Sequence, residues 1–459
     1  KAGRKNYSLV RTMAKVLQAD GTTWASVARW AFSSQETIRR SDVDAFVDNL
    51  ESSDQKVRYQ AALAAADDGA AYTKAVSGNE TTYSWKSADL VTTFTMLQSV
   101  PSPGIEKWSF SAQALVRHAE VEIALTDLEE DQRAAYEAAI ADVDEKTEYM
   151  RTVSGKDVSY SWKSVDETKN YTLNRTMTRV QQQDGSFAEV YAAAFTVQCA
   201  VTKAELEEKA LRVDDPEQRA QAAAVIAGIL PGVTGIIRAE TGSETSYSWE
   251  NSRGNVTYAL SFGTVWEETD AVTHDGVFLD LWQFSEQTLV LKSEVEGYLS
   301  SLGSSEQEKF LSALETDTVT KATVYTKSVS GGDISYSWQN PDLTESFTLS
   351  RQPVWEETDT DTHAGSFVAD WSFSAQVRVS KSVISGRLDL LKSELTASEW
   401  SALEASLAAG SYKDQYTLSV TGEDVSYTWQ SADRKTSYSL SRQPVWEETD
   451  TDTHAGSFV

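Results

Sequence analysis

One cysteine, four histidines and seven prolines are spread over 459 residues, and no apolar stretch approaches the ~18–20 residues that span a bilayer. Each scarcity excludes something. With Cys199 alone, no intrachain disulfide can form. Cys199 follows Phe195 and Val197 at period two, the pattern of a buried strand position. A nucleophilic thiol would need a histidine partner and an electropositive setting, which this stretch lacks. The missing apolar run predicts no membrane insertion in this segment. The chain opens at Lys1 with neither an initiator methionine nor a signal-peptide pattern, which reads either as a removed start or as a piece of something longer.

Basic residues are outnumbered, 41 against 69 acidic, for a net charge of −28. Such a chain repels phosphate backbones and anionic lipid, so nucleic acid is not an expected partner. The histidines His118, His274, His363 and His454 form no recurring Ser-His-Asp or Cys-His arrangement. "VSGKDVS" lacks the second glycine and the Ser/Thr of a phosphate loop. These absences leave no catalytic residues to name and no cofactor, and they predict that the chain is not an enzyme.

Repetition is what the sequence does contain. The phrase "GKDVSYSWKSVDETKNYTL" (155–173) has close relatives around Trp85, Trp249, Trp338 and Trp429. Gly78, Gly155, Gly242, Gly331 and Gly422 each precede the tryptophan by seven residues, and Phe94, Tyr171, Tyr258, Phe347 and Tyr438 follow it by nine. Successive tryptophans are 77, 87, 89 and 91 residues apart. A constant Trp-to-aromatic gap inside a drifting unit is what a hairpin of fixed register imposes, with its rings in the core. Residues 440–459 repeat 349–368 letter for letter.

Within one unit the period changes from two to 3.6 and back. Residues 346–359 alternate, with Phe347 and Leu349 on one face; "TDTHAG" is turn-like, and 366–380 read as a second strand, with Phe367, Trp371 and Phe373 available to a core. Residues 387–410 read as helix, with a capping box at Thr396–Glu399 and a terminator at Gly410. "SSDQ" (52–55) and "SSEQ" (304–307) sit at the same place in other units, and Pro216 falls in a first helical turn. The expectation is an α+β fold: a tandem repeat of about five ~90-residue modules, each a four-stranded antiparallel sheet with a helix pair (β-β-α-α-β-β), and a truncated sixth. The boundaries fall at 1–89, 90–166, 167–253, 254–342, 343–433 and 434–459, with their phase open.

One cluster suggests a metal. "WEETDTDTHAG" supplies Asp359, Asp361 and His363, and its twin supplies Asp450, Asp452 and His454. Alternate carboxylates suit calcium, and the histidine admits zinc. The same alternation describes the exposed face of a strand, and other units lose the aspartates, so a metal needed by every unit is not expected. Three functional readings result. The first is a non-enzymatic structural protein, part of a long extracellular filament, stalk or cell-surface shaft, with copies of itself or neighbouring repeats as partners. The second is a glycan- or protein-binding adhesin or phage fibre. The third, an enzyme, has no recurring site behind it.

Overall fold

The structure is a computed structural model. It describes residues 5–17, 24–50, 52–67, 70–102, 105–122, 125, 128–229, 235–251, 255–270, 275–315, 325–340, 342–359, 364–388, 392, 395–411, 416–422, 424–431, 436–442, 446–450 and 455–458; within the strands, 12–17, 352–359 and 364–369 among others are described by backbone alone. About half of the chain is strand. The first block holds β1 (Lys5–Leu17), β2 (Trp24–Ile38), two short 3-10 turns, α1 (Ser53–Ala64), β3 (Tyr72–Ser77) and β4 (Glu80–Lys86). The second holds β5 (Thr93–Ser102), β6 (Ile105–Val116), α2 (His118–Glu122), α3 (Glu130–Ala141), β7 (Tyr149–Ser154) and β8 (Asp157–Lys163). The third holds β9 (Asn170–Gln181), β10 (Phe187–Ala200), α4 (Lys203–Ala210), α5 (Pro216–Ala227), β11 (Ile237–Thr241) and β12 (Glu244–Glu250). The fourth holds β13 (Val256–Asp270), β14 (Asp275–Val290), α6 (Lys292–Glu296), α7 (Ser304–Glu315), β15 (Tyr325–Ser330) and β16 (Asp333–Gln339). The fifth holds β17 (Glu345–Asp359), β18 (Ala364–Val379), α8 (Lys381–Ser385), α9 (Ala397–Ala409), β19 (Tyr416–Thr421) and β20 (Asp424–Gln430). β21 (Ser437–Arg442), β22 (Trp446–Asp450) and β23 (Ala455–Phe458) follow.

The expected array of separate four-stranded sheets, each with its helix pair, is overturned. Strands β1 to β21 belong to one sheet. The last strand of one block pairs antiparallel with the first strand of the next: β4 with β5, β8 with β9, β12 with β13 and β20 with β21. No four-stranded sheet therefore ends at a block boundary. The pairing also returns on itself: ten strands, β9 to β18, form a closed barrel in connectivity. The closing contact is parallel, Gln181 to Val379, supported by the Ser380 N–H donating to the Gln181 carbonyl at 2.8 Å. The physical reason is edge satisfaction. A sheet of four strands would leave two rows of unpaired N–H and C=O groups, which the neighbouring block's strand satisfies here. The helical segments are not uniform pairs either, since the first block has 3-10 turns where others have a short helix.

Contacts divide the chain into two compact units: Lys1–Met177 with Tyr191–Leu291 and Val319–Ile334, and Thr178–Val190 with Lys292–Thr318 and Ser335–Val459. In the first unit, one core gathers Tyr59, Tyr83, Trp85, Phe94, Met96 and Phe110, and the next gathers Tyr136, Tyr160, Trp162, Tyr171, Leu173 and Phe195. A third forms around Leu206, Ile226, Tyr247, Trp249, Leu260 and Phe284. In the second unit, Leu403, Leu407, Tyr416, Tyr427 and Trp429 make another. All five tryptophans of the repeated phrase are buried, as are the tyrosines two residues before them.

The fixed gap has its expected cause. Trp85 lies opposite Phe94, Trp162 opposite Tyr171, Trp249 opposite Tyr258 and Trp429 opposite Tyr438. Ring centroids in these pairs are 5.5 to 5.7 Å apart. The glycine before each tryptophan turns a hairpin with φ between +55° and +60°, which a side chain would strain. The box at Thr396–Glu399, the Gly410 terminator (φ +78°) and Pro216 at the start of α5 stand as read from the sequence. Phe373 is buried; Trp371 packs on Tyr298 with centroids 4.2 Å apart. The side chain of Phe367 lies outside the described residues.

Candidate functional site

The feature that recurs with conserved chemistry is the junction between one block's helix and the following block's hairpin. Helices α1, α3 and α5 follow caps at Ser52, Glu129 and Asp215. The third residue after each cap is a glutamine, a position from which a side chain can fold back on the cap. Here it reaches forward instead. The Gln55 carbonyl accepts from the Phe110 N–H at 3.1 Å, Gln132 from Phe195 at 2.9 Å and Gln218 from Phe284 at 3.0 Å. At the fourth junction Glu306 accepts from the Phe373 N–H at 2.9 Å, while its other oxygen accepts from Gly303 N–H at 3.3 Å. The counterpart of Gln55 is thus Glu306 and not Gln307, one residue off the "SSDQ"/"SSEQ" match.

Three of the four junctions have a second fastening. The Ser154 hydroxyl donates to the Phe110 carbonyl at 3.1 Å and accepts from the Gln55 amide at 3.1 Å. Ser330 donates to the Phe284 carbonyl at 2.9 Å. Gln221 exchanges two hydrogen bonds with the Gly331 backbone, at 3.1 and 3.3 Å. Lys309 donates to the Gly422 carbonyl. The hairpin glycine comes within contact of the helix start: a Cβ on Gly242 would stand 2.3 Å from an Asp131 oxygen, and one on Gly422 3.1 Å from the Ser305 hydroxyl.

Aromatic packing completes the joint. Four residues beyond Gln55, the Tyr59 ring meets Phe110 edge-on at 5.2 Å; Tyr136 meets Phe195 at 5.6 Å, and Phe310 meets Phe373 at 5.3 Å. The same three rings touch Trp85, Trp162 and Trp338 of their own block at 5.7, 6.0 and 6.1 Å. One helix therefore clamps strands of two blocks. Replacing Gln132 by leucine removes the acceptor of a buried amide and should cost about 1–3 kcal/mol in urea denaturation; an unchanged midpoint would show that the bond carries no load.

A buried charge lies beneath the third hairpin. Glu205 accepts from the Arg238 guanidinium at 3.0 Å and from the Tyr247 hydroxyl at 2.9 Å. Burial, then the Glu205 charge, holds the Tyr247 phenol above its ordinary range. Glu120 meets Arg151 at 3.3 Å, and Glu294 accepts from Tyr336 at 3.0 Å, at the same place in the second and fourth blocks. Val383 stands there in the fifth.

Cys199 is buried in β10, as the period predicts, and burial pushes its thiol up. The native thiol is expected to resist alkylation at neutral pH and to react once the chain is unfolded; stoichiometric labelling of native protein would contradict this.

Of the metal candidates, Asp361, His363, Asp452 and His454 lie outside the described residues. Asp359 and Asp450 are described by backbone alone, opposite Ala364 and Ala455. Among the described residues no three His, Cys, Asp or Glu side chains are grouped to hold a metal. His118, the one histidine described, contacts the Tyr136 hydroxyl at 3.1 Å and packs at a tilt beside the Tyr149 ring. No helix among the described residues is long and apolar enough to cross a membrane.

The chain was compared with protein-family models, curated proteins and solved structures. None matches it. The sequence signal for the joint is the recurrence of Gln or Glu three residues after the cap, paired with a Phe-Ser/Thr-x-Gln phrase at 110, 195, 284 and 373.

Proposed function

We propose that this chain is a non-enzymatic structural protein, a stretch of a long tandem-repeat extracellular filament, stalk or cell-surface shaft. The observation that carries the reading is the fourfold joint, in which a helix of one block holds a backbone amide of the next and, at three of the four, packs a ring against its phenylalanine. Blocks coupled to their neighbours in this way resist bending and separate cooperatively. A net charge of −28 keeps such a surface from non-specific association. The partners are copies of the chain or further repeats of the same kind. Electron microscopy of the native material tests the reading. Continuous threads at the cell surface are expected; isolated particles, or material confined to the cell interior, would overturn it.

A further inference from the structure

We propose that the tip of the β9–β10 hairpin is a latch, closing on the fifth block where β18 runs into α8, and that it opens and recloses while the joints stay intact. The inference goes beyond the structural reading above and does not depend on where the chain is found.

The latch closes an edge that β8 leaves. β8 pairs with β9 from Lys163–Asn170 only as far as Val158–Arg175, and β9 runs on to Gln181. The Met177 N–H donates to the Asp157 carboxylate at 2.8 Å, on the β8 side. In a strand every second residue directs its backbone groups to the same side, so the Gln181 carbonyl faces the edge beyond β8. There it accepts from the Ser380 N–H at 2.8 Å. Arg179 donates to the Asp342 carbonyl. Gln183 lies across Gly386: a Cβ on that glycine would stand 2.5 Å from the Gln183 Nε2 and 3.3 Å from its Cγ. A Cβ on Gly297, at the same place after α6, would meet only carbonyls of its own turn. Residues 178–190 fall in the same compact unit as 335–459.

The tip is a preformed body on a slight seam. The Gln182 N–H donates to the Ser186 carbonyl at 2.7 Å and the Gly185 N–H to the Gln182 carbonyl at 3.0 Å. Asp184 accepts from the Ser186 N–H at 2.9 Å and from its hydroxyl at 2.6 Å. A turn so held keeps its shape when it lets go. One residue pair, Gln181 with Val379, closes the sheet here. Val180 is the only apolar side chain in 178–186, and Gln183 is exposed. Each joint, by contrast, holds a phenylalanine amide, and Phe110, Phe195, Phe284 and Phe373 are all buried. Segments with few apolar contacts and solvent-accessible hydrogen bonds are the ones that open locally. In a shaft of such blocks, bending releases the latch before any joint.

A cysteine pair in the whole chain tests this. Gln183→Cys and Gly386→Cys place two thiols within reach of a disulfide. The backbone at 386 accepts a side chain (φ −68°), and Cys199 is buried. Mild oxidation in dilute solution should close the pair within the monomer. In the reduced chain the Ser380 amide should exchange at least about tenfold faster than that of Phe373. Oxidation should slow Ser380 by about tenfold or more and leave Phe373 unchanged. Ser380→Pro suits the native φ of −80° but removes the donor, so it should slow disulfide formation with circular dichroism unaltered. The latch is overturned by a pair that does not oxidise or by undiminished closure in the proline variant. It is equally overturned by a Ser380 amide as slow as Phe373 before oxidation, or still fast after it. Native material without threads would remove the shaft reading and leave the latch; a failed latch would leave the joints and that reading standing.

Discussion

Replacing Trp338 by alanine is expected to lower stability by about 3–5 kcal/mol, the range for truncating a buried large aromatic. Trp338 is 6% exposed. Its ring lies 5.5 Å from Phe347 across the hairpin, 5.9 Å from Phe373 and 6.1 Å from Phe310 of α7. Those three residues come from a helix of the fourth block and both long strands of the fifth. The cavity therefore opens inside the joint, where no single element can collapse to fill it. The loss should appear in chemical denaturation as weakened coupling of the fourth and fifth blocks, ahead of the rest. A change below about 1 kcal/mol would mean that the indole is not part of a packed core.

Alkaline unfolding is the second large effect expected. Tyr83, Tyr160, Tyr247, Tyr336 and Tyr427, the tyrosines of the repeated phrase, all have phenols raised above their ordinary value, with burial the largest cause in each. Burial also raises Tyr59, Tyr136 and Tyr171 at the joints, where nearby carboxylates add to it. The folded state favours the neutral phenol. The stability these groups contribute is present in full below the unfolded phenol value of about 10 and is lost as pH rises through the higher folded values. Stability should hold through neutral pH and fall steeply above pH ~10. Phenolate absorbance should then rise together with the loss of circular dichroism, in one step. Smooth ionisation of these tyrosines near their ordinary value, with the fold intact, would contradict the buried packing.

Local patterns carried much of this fold into the sequence. The period of two and the invariant Trp-to-aromatic gap gave the hairpin, its register and its buried rings. Chain-local chemistry gave the box at Thr396, the proline at 216 and the buried strand position of Cys199. The closure of the sheet was not legible. The fixed gap already pairs β8 with β9, but the phase of the blocks stayed open, and Gln181 meets Val379 nearly two hundred residues away, a contact that no local pattern names. The joint was hidden for a related reason. Gln55 and Glu306 occupy a position that local rules assign to the cap, and only the tertiary neighbour turns them towards Phe110 and Phe373. Glu399, exposed and without that neighbour, does what the local rule says.

Amide hydrogen exchange on the chain labelled with 15N-phenylalanine, which carries 14 such residues, tests the fourfold joint most directly. In dilute solution the amides of Phe110, Phe195, Phe284 and Phe373 should be strongly protected while that of Phe32 exchanges rapidly. Equal, fast exchange at all five would contradict a chain of blocks held together by these contacts.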